Sequence, residues 1–177
     1  MKTNTRICYA TAPTRLGRVL IAANQRGVCA VGLGGDTQEL WDRLKARFPR
    51  SSLCEDQPRL RSHLGKVVRY VADPVRGLSL PLDIHGTPFQ RRVWAALQRI
   101  PLGTTATYQD IARRIGAPKA VRAVANACAA NRLPLAIPCH RVVRSDGSPG
   151  GYGCGPERKQ ALLRAERAAR PAGAEAA

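Results

Sequence analysis

The stretch TYQDIARRIGAPKAVRAVANACAAN, residues 107–131, decides the fold of the half of the chain that carries chemistry. Thr107 can cap a helix running through Arg114, with Asp110 three residues on to answer the cap. Gly116-Ala117 reads as a turn, and Pro118 opens a second helix to about Ala130. Helix, tight glycine-containing turn, helix is the helix-turn-helix pattern. Many helical hairpins share it, so the content of the second helix matters. Ala120, Ala123, Ala125, Ala127, Ala129 and Ala130 surround one long central cation, Arg122. Small side chains let a helix backbone come close to a narrow groove, and a single arginine there could enter a base stack. An alanine-rich helix packed on a neighbour is the competing reading.

Downstream, Asn131 leads to Ile137-Pro138-Cys139-His140-Arg141-Val142-Val143. A thiol becomes a strong nucleophile as thiolate, and nearby positive charge or a proton acceptor favours that form. Adjacent side chains in extended backbone point to opposite faces, so Cys139 and His140 need a bend at Pro138, or a water, to act together. The alternative is a packed cysteine beside an exposed histidine. Asn131, at a helix end, is expected in a left-handed conformation bracing the Cys139 loop. Gly150-Gly151-Tyr152-Gly153-Cys154-Gly155 lacks the phosphate-binding arrangement and reads as a mobile pocket wall. Pro156 opens a last helix to about Ala169. There Glu166 shares the side of Leu162 and Leu163, and a carboxylate facing a core needs a partner such as His140 or Arg141. An exposed surface glutamate is the other possibility. Residues 171–177 read as a disordered tail.

Upstream, residues 6–12, 17–23 and 28–33 read as an antiparallel meander. Asp36-Thr37-Gln38-Glu39 is a capping-box pattern for a helix ended by Pro49. A second helix fits 57–72, with Leu60, Leu64, Val67 and Val71 at helical spacing. Leu78 to Ile84 alternates like a strand, which Pro81 confines to an edge or turns into an extended connector. The half-chain boundary falls near Ile84–Thr87, because Thr87-Pro88-Phe89-Gln90 is a strong helix start.

Of 177 residues, 29 are Lys or Arg and 12 Asp or Glu, giving +17. The excess is spread, with 14 basic and 7 acidic residues in 1–85 and 15 and 5 in 86–177. Such a balance favours polyanions, nucleic acid first, or simply a basic surface. Met1 to Pro13 lacks the apolar segment of a secretion signal, and no apolar run suits a membrane span. A cytoplasmic protein with free thiols is expected, because its six cysteines show no CxxC pair. A zinc site at Cys8 and Cys29 lacks the usual close ligand pairs, so no metal is expected.

Taken together, Gly86-Thr87-Pro88-Phe89-Gln90, Thr107-Tyr108-Gln109, Pro118 to Val124, Ala130-Asn131 and Pro138-Cys139-His140-Arg141 resemble the O6-alkylguanine-DNA alkyltransferases. These are also called methylated-DNA–protein-cysteine methyltransferases. The likeness covers about residues 6–168. It implies an α+β fold: a ribonuclease-H-like α/β domain over 1–84, and a winged helix-turn-helix alkyltransferase domain over 85–170. It also implies a cofactor-free monomer acting once on duplex DNA that contains O6-alkylguanine, with the base flipped and the alkyl group kept on Cys139. His140 is similar to the histidine that activates the thiol through a water. Glu166 matches its carboxylate partner, and Asn131 the brace of the active-site turn. Tyr108 matches the tyrosine that crowds the phosphate and donates to the leaving guanine, and Arg122 the finger that fills the vacated place. Thr107, Ala120 and Ala123 join Arg122 and Tyr108 in the implied DNA-facing set. Val142, Tyr152, Gly153 and Pro134 form the implied pocket. Gly153 departs from a serine in some relatives, which removes one hydrogen bond to O6. A DNA-binding regulatory module that senses alkylation is the alternative of another class.

Overall fold

The computed structural model describes residues 5–169. The first half is a four-stranded sheet in the order β3-β2-β1-β4. Strands β1 (Arg6–Thr14), β2 (Gly17–Ala23) and β3 (Val28–Gly34) form the antiparallel meander, and β4 (Ser52–Glu55) runs parallel to β1 at the outer edge. Alternation along the strands sends Cys8, Ala10, Val19, Ile21, Val31 and Leu33 to one face, and Ile7, Leu20, Ala22 and Ala30 to the other. Helix α1 (Thr37–Arg47) covers the second face with Leu40 and Leu44. Helix α2 (Gln57–Ala72) covers the first with Leu60, Leu64, Val67 and Val71.

Both helices start on aspartate caps, Asp36 and Asp56, each accepting from a backbone N–H three residues on. In α1 the return bond of the expected capping box reaches one residue further back: Glu39 accepts from the Gly35 N–H at 2.7 Å.

The second half contains α3 (Pro88–Gln98), β5 (Ala106–Thr107), α4 (Tyr108–Arg114), α5 (Val121–Ala129), β6 (Val142–Val143) and α6 (Pro156–Ala168). Both the Thr87 and Thr107 capping boxes form. Trp94 of α3 donates its indole N–H to the Ala127 carbonyl of α5 at 2.8 Å, which fixes the hairpin of α4 and α5 against α3. Gly86 is required by that packing, because a Cβ there would lie 2.4 Å from the Trp94 ring.

One apolar cluster runs through both halves, from Val19 and Val67 to Val93, Ile111 and Leu162. Polar ties reinforce it. The Val31 N–H donates to the Arg132 carbonyl at 2.9 Å, Arg158 to Leu16 at 2.8 Å and Arg43 to Gly153 at 3.1 Å. The meander therefore abuts the glycine-rich loop of the second half.

Two expectations need correction, one open reading is decided and one strand is new. Leu78–Ile84 takes the second of its two readings, the extended connector: among the described residues its only ladder contact is a single parallel bridge from Leu82 to Val28. Pro81 has no N–H to donate, although its carbonyl accepts from Val28 at 2.7 Å. Strand β4 is unanticipated, because four residues without alternation acquire strand geometry only by pairing with β1. Helix α5 begins at Val121, three residues after Pro118. The Pro118 carbonyl is taken by the Gln109 side chain at 3.0 Å, so 118–120 form a turn. Finally, the left-handed residue of the loop after α5 is Leu135 (φ 74), not Asn131. The tail at 171–177 lies outside the described residues.

Candidate active site

Pro138 has φ −78 and ψ 62, and the Cys139 N–H reaches back to the Ile137 carbonyl at 2.7 Å. This is an inverse γ-turn. It feeds a single 3₁₀ turn over Cys139–Arg141 rather than extended backbone, which then enters β6. Asn131 fixes the turn from below. Its amide donates to the Ile137 carbonyl at 2.9 Å and to the Cys139 sulfur at 3.1 Å, while its oxygen accepts from the Leu133 N–H at 2.9 Å. Every polar atom of this buried side chain is thus committed to the loop. Cys139 is buried, and burial pushes its thiol up to about 11 despite the Asn131 hydrogen bond and the field of Lys159. The resting sulfur is a neutral thiol, so a base must take its proton.

A candidate base lies one residue on. His140 and Glu166 are fully buried, with the His140 Nε2–H donating to Glu166 Oε1 at 2.7 Å. Arg141 doubles the clamp, with Nε to Oε2 at 2.8 Å and Nη2 to Oε1 at 3.0 Å. The Tyr70 hydroxyl, from α2, donates to Oε1 at 2.7 Å. Burial alone would raise the Glu166 carboxyl, but His140 and Arg141 outweigh it and hold it at about 2. A carboxylate accepts only, so it fixes the proton on His140 Nε2 and leaves Nδ1 with a free lone pair. Nδ1 is buried with no partner among the described residues. Burial lowers the His140 pKa, with Glu166 opposing, so the ring is neutral near pH 7. The site thus holds an unprotonated nitrogen on the residue next to a protonated thiol.

Cys139 opens into a cavity of about 340 Å³ lined by Tyr108, Asn126, Cys128, Arg144, Tyr152 and Gly153 among others. Larger grooves lie against α2 and between α3 and α4, at about 680 and 490 Å³, but neither contains a nucleophile. Tyr152 stands edge-on to His140, with ring centroids 6.3 Å apart at 74°. Tyr108 is placed by the pairing of β5 with β6, which sets Thr107 against Val143. Thr107 itself uses its hydroxyl within the cap, accepting from the Asp110 N–H at 3.0 Å and donating to its carboxylate at 2.7 Å. On α5, Val124 and Ala127 are buried, while Arg122, Ala123, Asn126, Ala129 and Ala130 face outward and Ala120 is half-exposed. Asn126 and Ala129 also line the cavity, so the small-residue face of α5 ends at its mouth.

The structure therefore forms two hydrogen-bonded groups, Asn131 with Cys139 and His140 with Glu166, joined through the Cys139–His140 peptide bond, and puts Tyr108, Tyr152 and Gly153 on the cavity wall. Pro134 is buried but is not among the lining residues, because the left-handed turn at Leu135 separates it from Cys139. Val142 is wholly buried, and its carbonyl receives Lys159 Nζ at 2.7 Å.

Lys159 went unnoticed in the sequence. It is fully buried and also donates to the carbonyls of Pro149 and Gly151, gathering the glycine-rich loop onto β6. The signal was present, since Lys159 lies three residues before Leu162 and seven before Glu166 on the same stripe of α6. Tyr70, in the other half, carried no such signal. Among the described residues no group of side chains could hold a metal ion, and Cys8 and Cys29 fall on opposite faces of the sheet. No described helix is long and apolar enough to cross a membrane.

Two family models match the chain. Residues 7–84 match the ribonuclease-like domain of 6-O-methylguanine DNA methyltransferase, and residues 88–168 its DNA binding domain. The chain is 48% identical over 163 residues to the Escherichia coli bifunctional transcriptional activator/DNA repair enzyme Ada, covering 92% of this chain and 46% of that one. It thus spans about half the length of that relative and of the Salmonella typhimurium regulatory protein ada. It is 40% identical to the constitutive methylated-DNA–protein-cysteine methyltransferase of Bacillus subtilis, covering 90% of this chain and 94% of that one. The Mycobacterium tuberculosis OGT solved in complex with DNA superposes with a TM-score of 0.72 at 32% identity, covering 94% of this chain and 96% of that one. On both halves, the chain belongs to the 6-O-methylguanine DNA methyltransferase family.

Proposed function

We propose that this chain repairs DNA by direct reversal. It transfers a methyl or other alkyl group from O6 of guanine, and from O4 of thymine, in duplex DNA to Cys139, once per molecule. The observation that carries the reading is a buried thiol, held by Asn131, on the residue before a neutral imidazole whose Nε2 is pinned to the Glu166 carboxylate. A sulfur nucleophile suits displacement at an sp³ carbon. The S–C bond forms as the C–O6 bond breaks, and the thioether product does not hydrolyse. No second nucleophile or cofactor is required, and none would restore the thiol.

The His140–Glu166 hydrogen bond and the unpartnered Nδ1 support a proton path. Cys139 gives its proton through a water to His140 Nδ1, and the positive ring is held by Glu166. Glu166 thereby favours the charged ring that the transfer needs. The amide of Asn131 stabilises the developing thiolate. Tyr108 donates its hydroxyl to the departing guanine, which makes a better leaving group than a bare anion. Tyr152 and Gly153 form the wall against which the extruded base rests. Duplex DNA lies across the outer face of α5. Ala120, Ala123 and Thr107 allow close approach there, and Arg122 fills the place the base has left. Arg122 is exposed and makes no ion pair among the described residues, so it is free to do this. The chain acts as a monomer in the cytoplasm, with residues 1–84 as support and 85–170 as the reacting unit.

Intact-mass measurement after incubation with a duplex oligonucleotide bearing O6-methylguanine tests the reading. One added methyl, mapped to Cys139 and absent in Cys139→Ala, is the expected result. An unchanged mass, or a methyl on another side chain, would overturn it.

A further inference from the structure

A second thiol site lies at the outer edge of the sheet, in β1 and β4, remote from the cavity beside Cys139. Cys8 and Cys54 are direct partners in the parallel register of these strands. Their sulfurs are 2.8 Å apart on the same face of the sheet. Neighbouring strands lie about 4.8 Å apart, within the roughly 4.4–6.8 Å between Cα atoms that a disulfide spans. Two guanidinium groups flank the pair, Arg6 Nε at 3.4 Å from the Cys54 sulfur and Arg59 Nη1 at 3.7 Å from the Cys8 sulfur. The two thiols differ in access: Cys8 is 1% exposed, whereas Cys54 is only partly buried.

We propose that Cys8 and Cys54 form a peroxide-reactive dithiol, with Cys54 the sulfur that is oxidised and Cys8 the thiol that resolves it into a disulfide.

Three features support this division of roles. The Cys8 thiol donates to the Cys54 sulfur and Arg6 adds a second donor, and together they hold Cys54 below the ordinary thiol value; the carboxylate of Asp56 opposes them weakly. Burial and the neighbouring Cys54 push Cys8 the other way, so it keeps its proton. The more accessible partner is thus the one that gives up its proton more readily, and the thiolate is the form that attacks peroxide.

In the first step the Cys54 thiolate attacks one oxygen of hydrogen peroxide. An S–O bond forms, the O–O bond breaks, hydroxide leaves, and Cys54 becomes a sulfenic acid. In the second, the Cys8 sulfur attacks the Cys54 sulfur. The S–S bond forms, the S–O bond breaks, and the hydroxyl leaves with the Cys8 proton as water. Overall, two thiols and one hydrogen peroxide give one disulfide and two waters. A small dithiol returns the pair to thiols by exchange.

Peptide mapping of the full chain without reductant, after brief hydrogen peroxide treatment, tests this. The expected product is a Cys8–Cys54 crosslink that dithiothreitol reverses, with Cys29 unmodified. In Cys8→Ser, Cys54 should stop at the sulfenic acid and take up dimedone. In Cys54→Ser, Cys8 should stay unmodified. The crosslinked form should also melt higher, because the bond ties residues 46 apart in sequence. The proposal is overturned if Cys8 and Cys54 remain thiols when Cys139 has been oxidised, if Cys8 is the residue that takes up dimedone, or if the crosslink lowers the melting temperature. None of these readouts depends on alkyl transfer.

Discussion

Cys139 and Cys54 each have an arginine within two residues in sequence or close in space, yet their environments drive them in opposite directions. Arg141 turns its guanidinium away from Cys139 and into Glu166, so burial dominates and the thiol rises to about 11. At the sheet edge the Cys8 thiol donates to Cys54, Arg6 adds its Nε, burial is slight, and the thiol falls. Basic neighbours in sequence therefore do not make a thiolate. What matters is where the cation's donors are committed and how much water the sulfur keeps. The consequence is functional. Cys54 gives up its proton to meet a small electrophile more readily than an ordinary thiol does. Cys139, in its proposed role as an irreversible acceptor, is held protonated until the proposed base takes its proton, which would protect it from casual alkylation.

The largest test of this contrast removes the carboxylate that holds the Cys139 side in place. In Glu166→Ala, His140, Arg141 and Tyr70 lose their common acceptor inside the core. Breaking a buried pair by removing one partner costs about 3–5 kcal/mol. The expected result is a large loss of stability in denaturant melts, together with loss of alkyl transfer. The milder Glu166→Gln keeps the shape, so it should fold while slowing transfer, because a neutral amide no longer favours a charged ring. There is also a pH signature. Glu166 has a folded pKa of about 2 against an ordinary 4.5, so its contribution is whole above 4.5 and lost as pH falls toward 2. That shift corresponds to about 3 kcal/mol, which Glu166→Gln should lack in an acid-denaturation series. Cys54 labelling by iodoacetamide should not change in Glu166→Gln. If it did, the two thiol sites would not be independent.

A smaller effect separates the two thiols by pH alone. Thiolate forms as pH rises through the thiol pKa. Iodoacetamide labelling of Cys54 should therefore reach its midpoint below the ordinary thiol value, and that of Cys139 only near 11. Transfer from O6-methylguanine should not follow the Cys139 curve, because His140 takes the proton during reaction. His140 titrates below its usual 6.5, so the transfer rate should stay level as pH drops past 6.5 and fall only when the ring itself becomes protonated. A rate that climbed tenfold per pH unit between 7 and 9 would mean a pre-formed thiolate, and His140 would then have no role as base.

Sequence reading worked where the signal is local. Helix starts at Thr87 and Thr107, the helix over 57–72 and the meander are set by caps and periodicity, and these appear nearly residue for residue. Cys139, His140 and Asn131 were legible because they sit within nine residues of one another. Glu166 was legible through its place on an apolar stripe. What could not be read depends on partners far along the chain. Strand β4 exists only through β1, and Tyr70 reaches Glu166 from 96 residues away. The same is true of the Cys8–Cys54 pair, which a count of cysteine spacings cannot reveal because parallel register brings them together. The resting protonation of Cys139 was not legible for a related reason. The flanking residues showed a cation, but not that the core had already claimed it.

The smallest predicted effect concerns Gly153, on the wall opposite Cys139's basic machinery. Its φ is not positive, and a Cβ built there meets nothing within 4 Å, so Gly153→Ser should fold without strain. The added hydroxyl would stand in the cavity beside Tyr152, where it can donate to O6 of a bound guanine. One neutral hydrogen bond contributes about 1 kcal/mol, so transfer from O6-methylguanine should quicken by no more than about tenfold. Benzyl transfer should gain less than methyl transfer if the hydroxyl also narrows the cavity, and equally if it does not. The ratio of the two rates in Gly153→Ser against the parent chain separates these cases. Because the substitution touches neither His140 nor Asn131, the pH profile should keep its shape while its plateau rises. A shifted profile would show that this wall, too, sets the proton affinity of the Cys139 thiol.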